Sequence, residues 1–440
     1  MRLTRRSLLQ SAPLFAQASG PPPNFVFLIS DDHSQPDLGC YGNTVMQTPH
    51  LDRMAREGVR FNNCFVTSPQ CSPNRSSIFT GCAPHTTSTS RLHTPLPDYE
   101  PSFLEPLKEK GYFVGAFRKV HQGPSFDKRW DYYGSPKASF EEFFDKLPSG
   151  RPFFLHVGFS DPHRPYQDGT IPNPHDPAKI RVPAWLPDTP EIRKDLALYH
   201  DEIARMDSEC GQILSILQKR GLGQNTCVVF TGDNGMPFPR AKGTCYDAGI
   251  NVPLIFRWPS QIKPAVTDQL VSHVDLPVTW LELAGIPKPA KMQGRSIRTS
   301  APRTEVFSER NWHDNFDPIR SVRTARHKLI FNAAPHFPYR PAWDLENSPT
   351  WKSYLAESRR GRLSDQHMRL LDPTRPLLEL YDLQSDPHEF HNLAADPAHQ
   401  ETLADLKRRL SQWMHDTLDF LPPGKTRPNE PGGREWPMSL

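Results

Sequence analysis

The chain is short of several things that would have placed it quickly. No stretch approaches the roughly 18 consecutive apolar residues of a membrane-spanning helix, so the sequence predicts a soluble mature protein without a membrane span. None of its seven cysteines (40, 64, 71, 82, 210, 227 and 245) forms a C-x-x-C pair, which leaves a zinc knuckle or a thioredoxin-type site unsupported. There is no excess of one charge. Lys and Arg number 52 against 49 Asp and Glu, a net charge of +3, and the pI is about 8.4. That is too mild for a nucleic-acid binder by composition, so an anionic ligand must be met by a local basic pocket. No internal repeat is visible.

What the chain does have is length, aromatic residues and proline. Its 440 residues suffice for a large domain plus a smaller one. Mean hydropathy is −0.61, yet 25 Phe, 11 Tyr and 9 Trp supply a substantial core. The 48 prolines are dispersed and not gathered in one linker, as in a loop-rich enzyme scaffold. At the N-terminus, Arg5 and Arg6 precede a short apolar stretch and the small-residue segment Ala16-Gln17-Ala18. This predicts a twin-arginine-like export signal over residues 1–18 and a periplasmic or extracellular protein.

Short apolar runs ending in polar residues organise the rest. "NFVFLISDD", "GYFVGAFRK", "RPFFLHVGFSDPH", "CVVFTGDNG" and "VPLIFRWP" read as buried parallel strands. Between them lie helical patterns, such as Leu196 to Leu217, whose apolar residues recur every three or four positions before Gly221. Alternating strands and helices predict an α/β fold, a large mixed sheet sandwiched by helices over residues 22–315. The pattern then changes to short β-like runs and a final amphipathic helix near 398–418, which predicts a smaller C-terminal antiparallel α+β domain over 316–423 and a tail at 424–440.

The candidate site residues follow the strands, where open α/β sheets place their ligands. Asp31, Asp32, Asp233 and Asn234 offer only oxygen, which suits a hard divalent cation, Ca²⁺ or Mg²⁺. Alone, either pair is an ordinary turn or cap. Lys119, His121, His163, Arg75 and Lys242 add fixed positive charge and titratable imidazoles, the groups that a tetrahedral oxyanion needs. Cys71 is the odd member, since an unmodified thiol is a poor partner for a hard cation.

Residues 71–81, "CSPNRSSIFTG", answer that oddity. They resemble the sulfatase signature, Cys-x-Pro-x-Arg followed by Thr-Gly, in which the cysteine is oxidised to formylglycine by a modifying enzyme that reads Cys71, Pro73 and Arg75. Further landmarks occur in order: Asp31-Asp32, Lys119-x-His121, His163, Asp233-Asn234-Gly235 and Lys242. The spellings "DPHR", "VPAWLPDTPEIRKDLA", "DNGMPFP" and "ELYDLQSDPHEFHNLA" are most similar to the heparan N-sulfatase (sulfamidase) branch, and the likeness covers about residues 24–420.

The resemblance implies an alkaline-phosphatase/sulfatase-like fold and sulfate hydrolysis on a sulfated sugar, with N-sulfated glucosamine of heparan fragments as the expected substrate. It implies a metal, usually calcium, held by Asp31, Asp32, Cys71, Asp233 and Asn234. A hydroxyl of hydrated formylglycine at position 71, polarised by the metal and Arg75, would attack sulfur. His163 and Lys242 would bind the group and protonate the leaving atom, His121 would deprotonate the second hydroxyl to eliminate sulfate, and Lys119 would hold the diol. Glu309, His313 and Arg320 are expected to touch the sugar. A 6-O- or 2-O-sulfatase, a phosphonate or phosphodiester hydrolase and a non-catalytic glycan binder are the competing readings.

Overall fold

The computed structural model describes residues 20–421, so the expected export signal and the tail at 424–440 lie outside the described residues. Two sheets organise the described chain. The larger contains β1 (Asn24–Ser30), β2 (Val59–Phe65), β3 (Phe113–Arg118), β4 (Tyr132–Gly134), β5 (Phe153–Gly158), β6 (Thr226–Gly232), β7 (Asn251–Arg257) and β8 (Ala265–Ser272) in the spatial order β4-β3-β5-β1-β6-β7-β2-β8. The smaller contains β9 (Glu305–Trp312), β10 (Phe316–Thr324), β11 (His327–Asn332) and β12 (Leu378–Asp382), all antiparallel.

Every residue of β1 is buried, as expected for a central strand covered on both faces. Because side chains alternate along a strand, Phe25, Phe27 and Ile29 enter one core with Phe79, Phe103 and Trp280, while Val26 and Leu28 enter the other. That second core is closed by the long helix Pro190–Lys219. Its apolar stripe, Leu196, Tyr199, Ile203, Met206, Cys210, Ile213 and Leu217, is buried throughout. The Thr189 hydroxyl accepts from the Ile192 N–H at its start, Pro190 opens its first turn, and Gly221 follows its end at φ +68°. The final helix, Gln400–Asp416, buries Leu403, Leu406 and Leu410 against Val322, Leu329 and Leu380 of the smaller sheet.

Two expectations are corrected. "VPLIFRWP" is not a parallel strand, because β7 pairs antiparallel with both β6 and β2. The segment between β6 and β7 stays at the end of the sheet where β6 finishes, delivering Asp233, Asn234 and Lys242 there, so β7 can only run back. The smaller sheet also begins ahead of residue 316, with β9 at Glu305–Trp312. The β-like spelling of β10 is easier to read than the polar "SERNW" of β9.

Trp280 joins the layers of the first core, with its ring centroid 4.8, 5.1 and 5.2 Å from those of Phe27, Phe103 and Phe154. Trp280→Ala is expected to destabilise the protein by about 3–5 kcal/mol, read as a lowered urea midpoint by circular dichroism. Trp280→Phe should lower the midpoint by clearly less.

Candidate active site

Four adjacent strands of the larger sheet, β3, β5, β1 and β6, end at one edge, and the segments leaving them bring Lys119 and His121, His163, Asp31 and Asp32, and Asp233 and Asn234 together. The helix Cys71–Thr80 completes the arrangement, and all ten of its residues are buried. Pro73 sits in its first turn, where the missing N–H would have had no helical partner. Gly81 ends it in the left-handed region at φ +68°, with its N–H donating to the Ser77 carbonyl at 2.8 Å. The spacing of four between Cys71 and Arg75 puts both on one helix face. Asn74 ties the helix down: its Nδ2 donates to the Asp233 carbonyl at 2.6 Å and its Oδ1 accepts from the Thr67 N–H at 3.1 Å.

Charge balance dominates the geometry. Arg75 donates from Nε to Asp233 Oδ2 at 2.8 Å and from Nη1 to the Lys119 carbonyl at 2.7 Å. Lys119 donates to Asp31. Lys242 donates to Asp32 Oδ2 at 2.7 Å and to Asp344 Oδ2 at 2.8 Å. Asn234 Nδ2 donates to Asp32 Oδ1 at 2.7 Å, and the Cys71 sulfur lies 3.8 Å from the same oxygen. His163 Nε2 is 3.8 Å from both Asp32 and Asp344, while its Nδ1 faces the Arg164 carbonyl. His121 Nε2 meets His93 Nδ1 at 2.8 Å.

These contacts set the ionisation. Burial pushes the Asp31 carboxyl up, but Lys119, His163 and Arg75 outweigh it and hold it well below the usual carboxylate range. Asp233 is pushed up to about 7 by burial and by its neighbour Asp31. Burial also raises the Cys71 thiol, and Asp31 adds to the rise, so the unmodified sulfur is held protonated and is a weak nucleophile. Burial, with Lys119 and Arg75, drives His121 down and keeps it neutral.

Oxygen and sulfur atoms of Asp31, Asp32, Cys71 and Asp233 lie within 4.8 Å of one another. Asp31 Oδ1 and Asn234 Oδ1 are buried and have no hydrogen-bond partner among the described residues. Apart from the Cys71 sulfur the set offers only oxygen, and two orphaned acceptors with a carboxylate pushed up by burial and by its neighbour fit a hard divalent cation. It does not suit a soft metal.

The site opens into a cavity of about 710 Å³ that reaches Cys71, Lys119, His121, His163 and Lys242, and His313 lies on its wall. Glu309 and Arg320 are elsewhere. Arg320 donates from Nη2 to Asp419 Oδ1 at 2.7 Å and is fully buried, and Glu309 pairs with His85. The two face each other in register across β9 and β10 and point into a closed charge cluster, so the expected direct sugar contact is corrected for both. The sequence reading also passed over Asp344, Trp343, Arg164 and His93, which line the cavity. Arg164 stood in the quoted "DPHR" without a role; Asp344 and His93 sit in stretches without strand periodicity and gave no signal.

Arg320→Leu leaves Asp419 buried and unpaired. It is expected to cost about 3–5 kcal/mol of stability, seen in thermal unfolding, while KM for a sulfated substrate changes less than about twofold.

The family model described as Sulfatase matches residues 23–286, and the model described as N-sulphoglucosamine sulphohydrolase, C-terminal, matches residues 240–358. The human N-sulphoglucosamine sulphohydrolase is 30% identical, covering 90% of this chain and 91% of that protein. An ulvan-active sulfatase of Formosa agariphila is also 30% identical, covering 89% of this chain and 74% of its own. The solved structure of BT4656 in complex with its substrate D-glucosamine-2-N,6-O-disulfate superposes with a TM-score of 0.67 at 18% identity, covering 91% of this chain and 99% of that one, a likeness of fold.

Proposed function

We propose, from the premise that the chain belongs to the sulfatase family and hydrolyses sulfated sugars, that the group it removes is the N-sulfate of glucosamine in heparan-type fragments. One observation carries this reading. The segment matched by the N-sulphoglucosamine sulphohydrolase C-terminal model, residues 240–358, supplies the cleft residues Lys242, His313, Trp343 and Asp344. Export from the cytosol, directed by residues 1–18, belongs to the same proposal. So does conversion of Cys71 to formylglycine by a formylglycine-generating enzyme, which reads the buried helix before it folds.

Asp31, Asp32, Asp233 and Asn234, with residue 71, would hold Ca²⁺. A bound cation supplies Lewis-acid polarisation of a sulfuryl oxygen and of the hydroxyl on residue 71. The modification supplies two hydroxyls on one carbon, one to receive the sulfuryl group and one to release it.

The chain's own residues do the rest. Arg75 and Lys119, paired with Asp233 and Asp31 beside residue 71, would offset negative charge gathering there. His121, held neutral with His93 on its Nε2, shares the cleft with residue 71 and would take a proton from it. With Nδ1 turned to the Arg164 carbonyl, His163 presents Nε2 to the cleft beside Lys242, and these two protonate the leaving atom. Trp343, 56% exposed at the cleft, offers an apolar face on which a pyranose ring can lie.

A second reading, an O-sulfatase, is carried by the equal identity to the ulvan-active sulfatase. The deciding experiment uses protein coproduced with a formylglycine-generating enzyme and a glucosamine bearing both N- and 6-O-sulfates. Loss of sulfate with a new free amine, read by mass and amine assay, is the expected result. Loss without an amine transfers the function to the O-sulfatases.

Calcium should also stabilise the protein. At a hundredfold excess over Kd the gain is about 2.7 kcal/mol, measured as a rise in melting temperature that EDTA reverses. In Asn234→Leu the rise should be largely lost.

A further inference from the structure

We propose that Asp344 selects nitrogen over oxygen at the scissile bond, by accepting a hydrogen bond from the N–H of a sulfamate. The inference rests on the N-sulfate reading and gives that reading a residue. The side chain lies where such a choice can be made. Asp344 Oδ2 accepts from Lys242 Nζ at 2.8 Å and lies 3.8 Å from His163 Nε2, so it touches both groups assigned to the leaving atom. Its other oxygen, Oδ1, is buried and has no hydrogen-bond partner among the described residues. Asp344 lines the cleft that contains Cys71.

The backbone around Asp344 is clamped. The Trp343 N–H donates to Asp314 Oδ2 at 2.7 Å, and the same oxygen meets His313 Nδ1 at 2.7 Å. The turn between β9 and β10 therefore fixes the approach of Asp344. Although burial raises its carboxyl, Lys242, His313 and His163 outweigh that and keep it ionised.

The chemistry follows from one hydrogen. In R–NH–SO₃⁻ the bridging nitrogen carries a proton that a carboxylate can accept; in R–O–SO₃⁻ the bridging oxygen offers only lone pairs and is repelled. A site built around such a hydrogen bond rejects the analogue that lacks the donor by far more than one built on shape, up to about 10⁴–10⁵. The product extends the preference. Hydrolysis, R–NH–SO₃⁻ + H₂O → R–NH₃⁺ + SO₄²⁻, leaves the electron pair of the broken S–N bond on nitrogen, which takes up protons and becomes a cation beside Asp344. An O-sulfate leaves a neutral hydroxyl.

The test compares wild type and Asp344→Asn, both carrying formylglycine, on N-sulfated and on 6-O-sulfated glucosamine. The expected result is a fall of at least about a hundredfold in the N-to-O ratio of kcat/KM, with partial recovery in Asp344→Glu. An unchanged ratio, with both rates falling together, would make Asp344 only a support for Lys242 and overturn the proposal. A second measurement needs no variant: wild type should bind glucosamine at least tenfold more tightly than N-acetylglucosamine by calorimetry, and equal binding overturns it. Wild type that removes only O-sulfate defeats the N-sulfate reading itself, and this inference with it. Wild type that removes N-sulfate while the variant keeps its ratio defeats the inference alone.

Discussion

Three carboxylates buried side by side are the constraint around which the molecule is built. Asp31, Asp32 and Asp233 are each about 1% exposed or less, and an unpaired buried charge costs several kcal/mol. Their counter-charges, Arg75, Lys119 and Lys242, come from three separate segments and are held at the same spot by the ion pairs they form. These three acids and three bases cancel one another, and Asp344, which shares Lys242 with Asp32, adds one negative charge. A divalent cation would tip the balance positive, the condition for receiving an anionic sulfate group.

The smaller sheet is part of that construction. The Glu309 N–H donates to the Thr67 carbonyl at 2.8 Å, Ser308 Oγ donates to the Val66 carbonyl at 2.6 Å, and Gln70 Nε2 donates to the Trp312 carbonyl at 2.9 Å. β9 thus braces the segment that leads into Cys71. Glu309 and Arg320 serve the site from a distance, through the His85 and Asp419 pairs that lock this sheet in place. The same sheet carries His313 and Asp314, which position the segment bearing Asp344.

Much of this was legible in the order of residues. A buried parallel strand needs an unbroken apolar run, and a ligand edge needs polar residues directly after it, so β1, β3, β5 and β6 announced both themselves and the groups they deliver. The helical stripe from Leu196 to Leu217 was legible for a similar reason, since its period is set by local geometry. The direction of β7 was not, because an apolar run reads alike either way. Nor were the roles of Glu309 and Arg320, since a charged residue on a strand looks the same whether it faces a substrate or a buried partner far away in the chain, here His85 and Asp419.

The sequence by itself determined which groups stand next to residue 71 and that most of them offer oxygen, because the residue types and their short spacings, Cys71 to Arg75 and Asp233 to Asn234, lie within one turn or one loop. Only the tertiary structure decided what stands beside Lys242 and His163. Asp344 comes within 2.8 Å of Lys242 across a long stretch of chain, in a short helix held by the β9–β10 turn, and local periodicity carries no trace of a contact made by packing two sheets together.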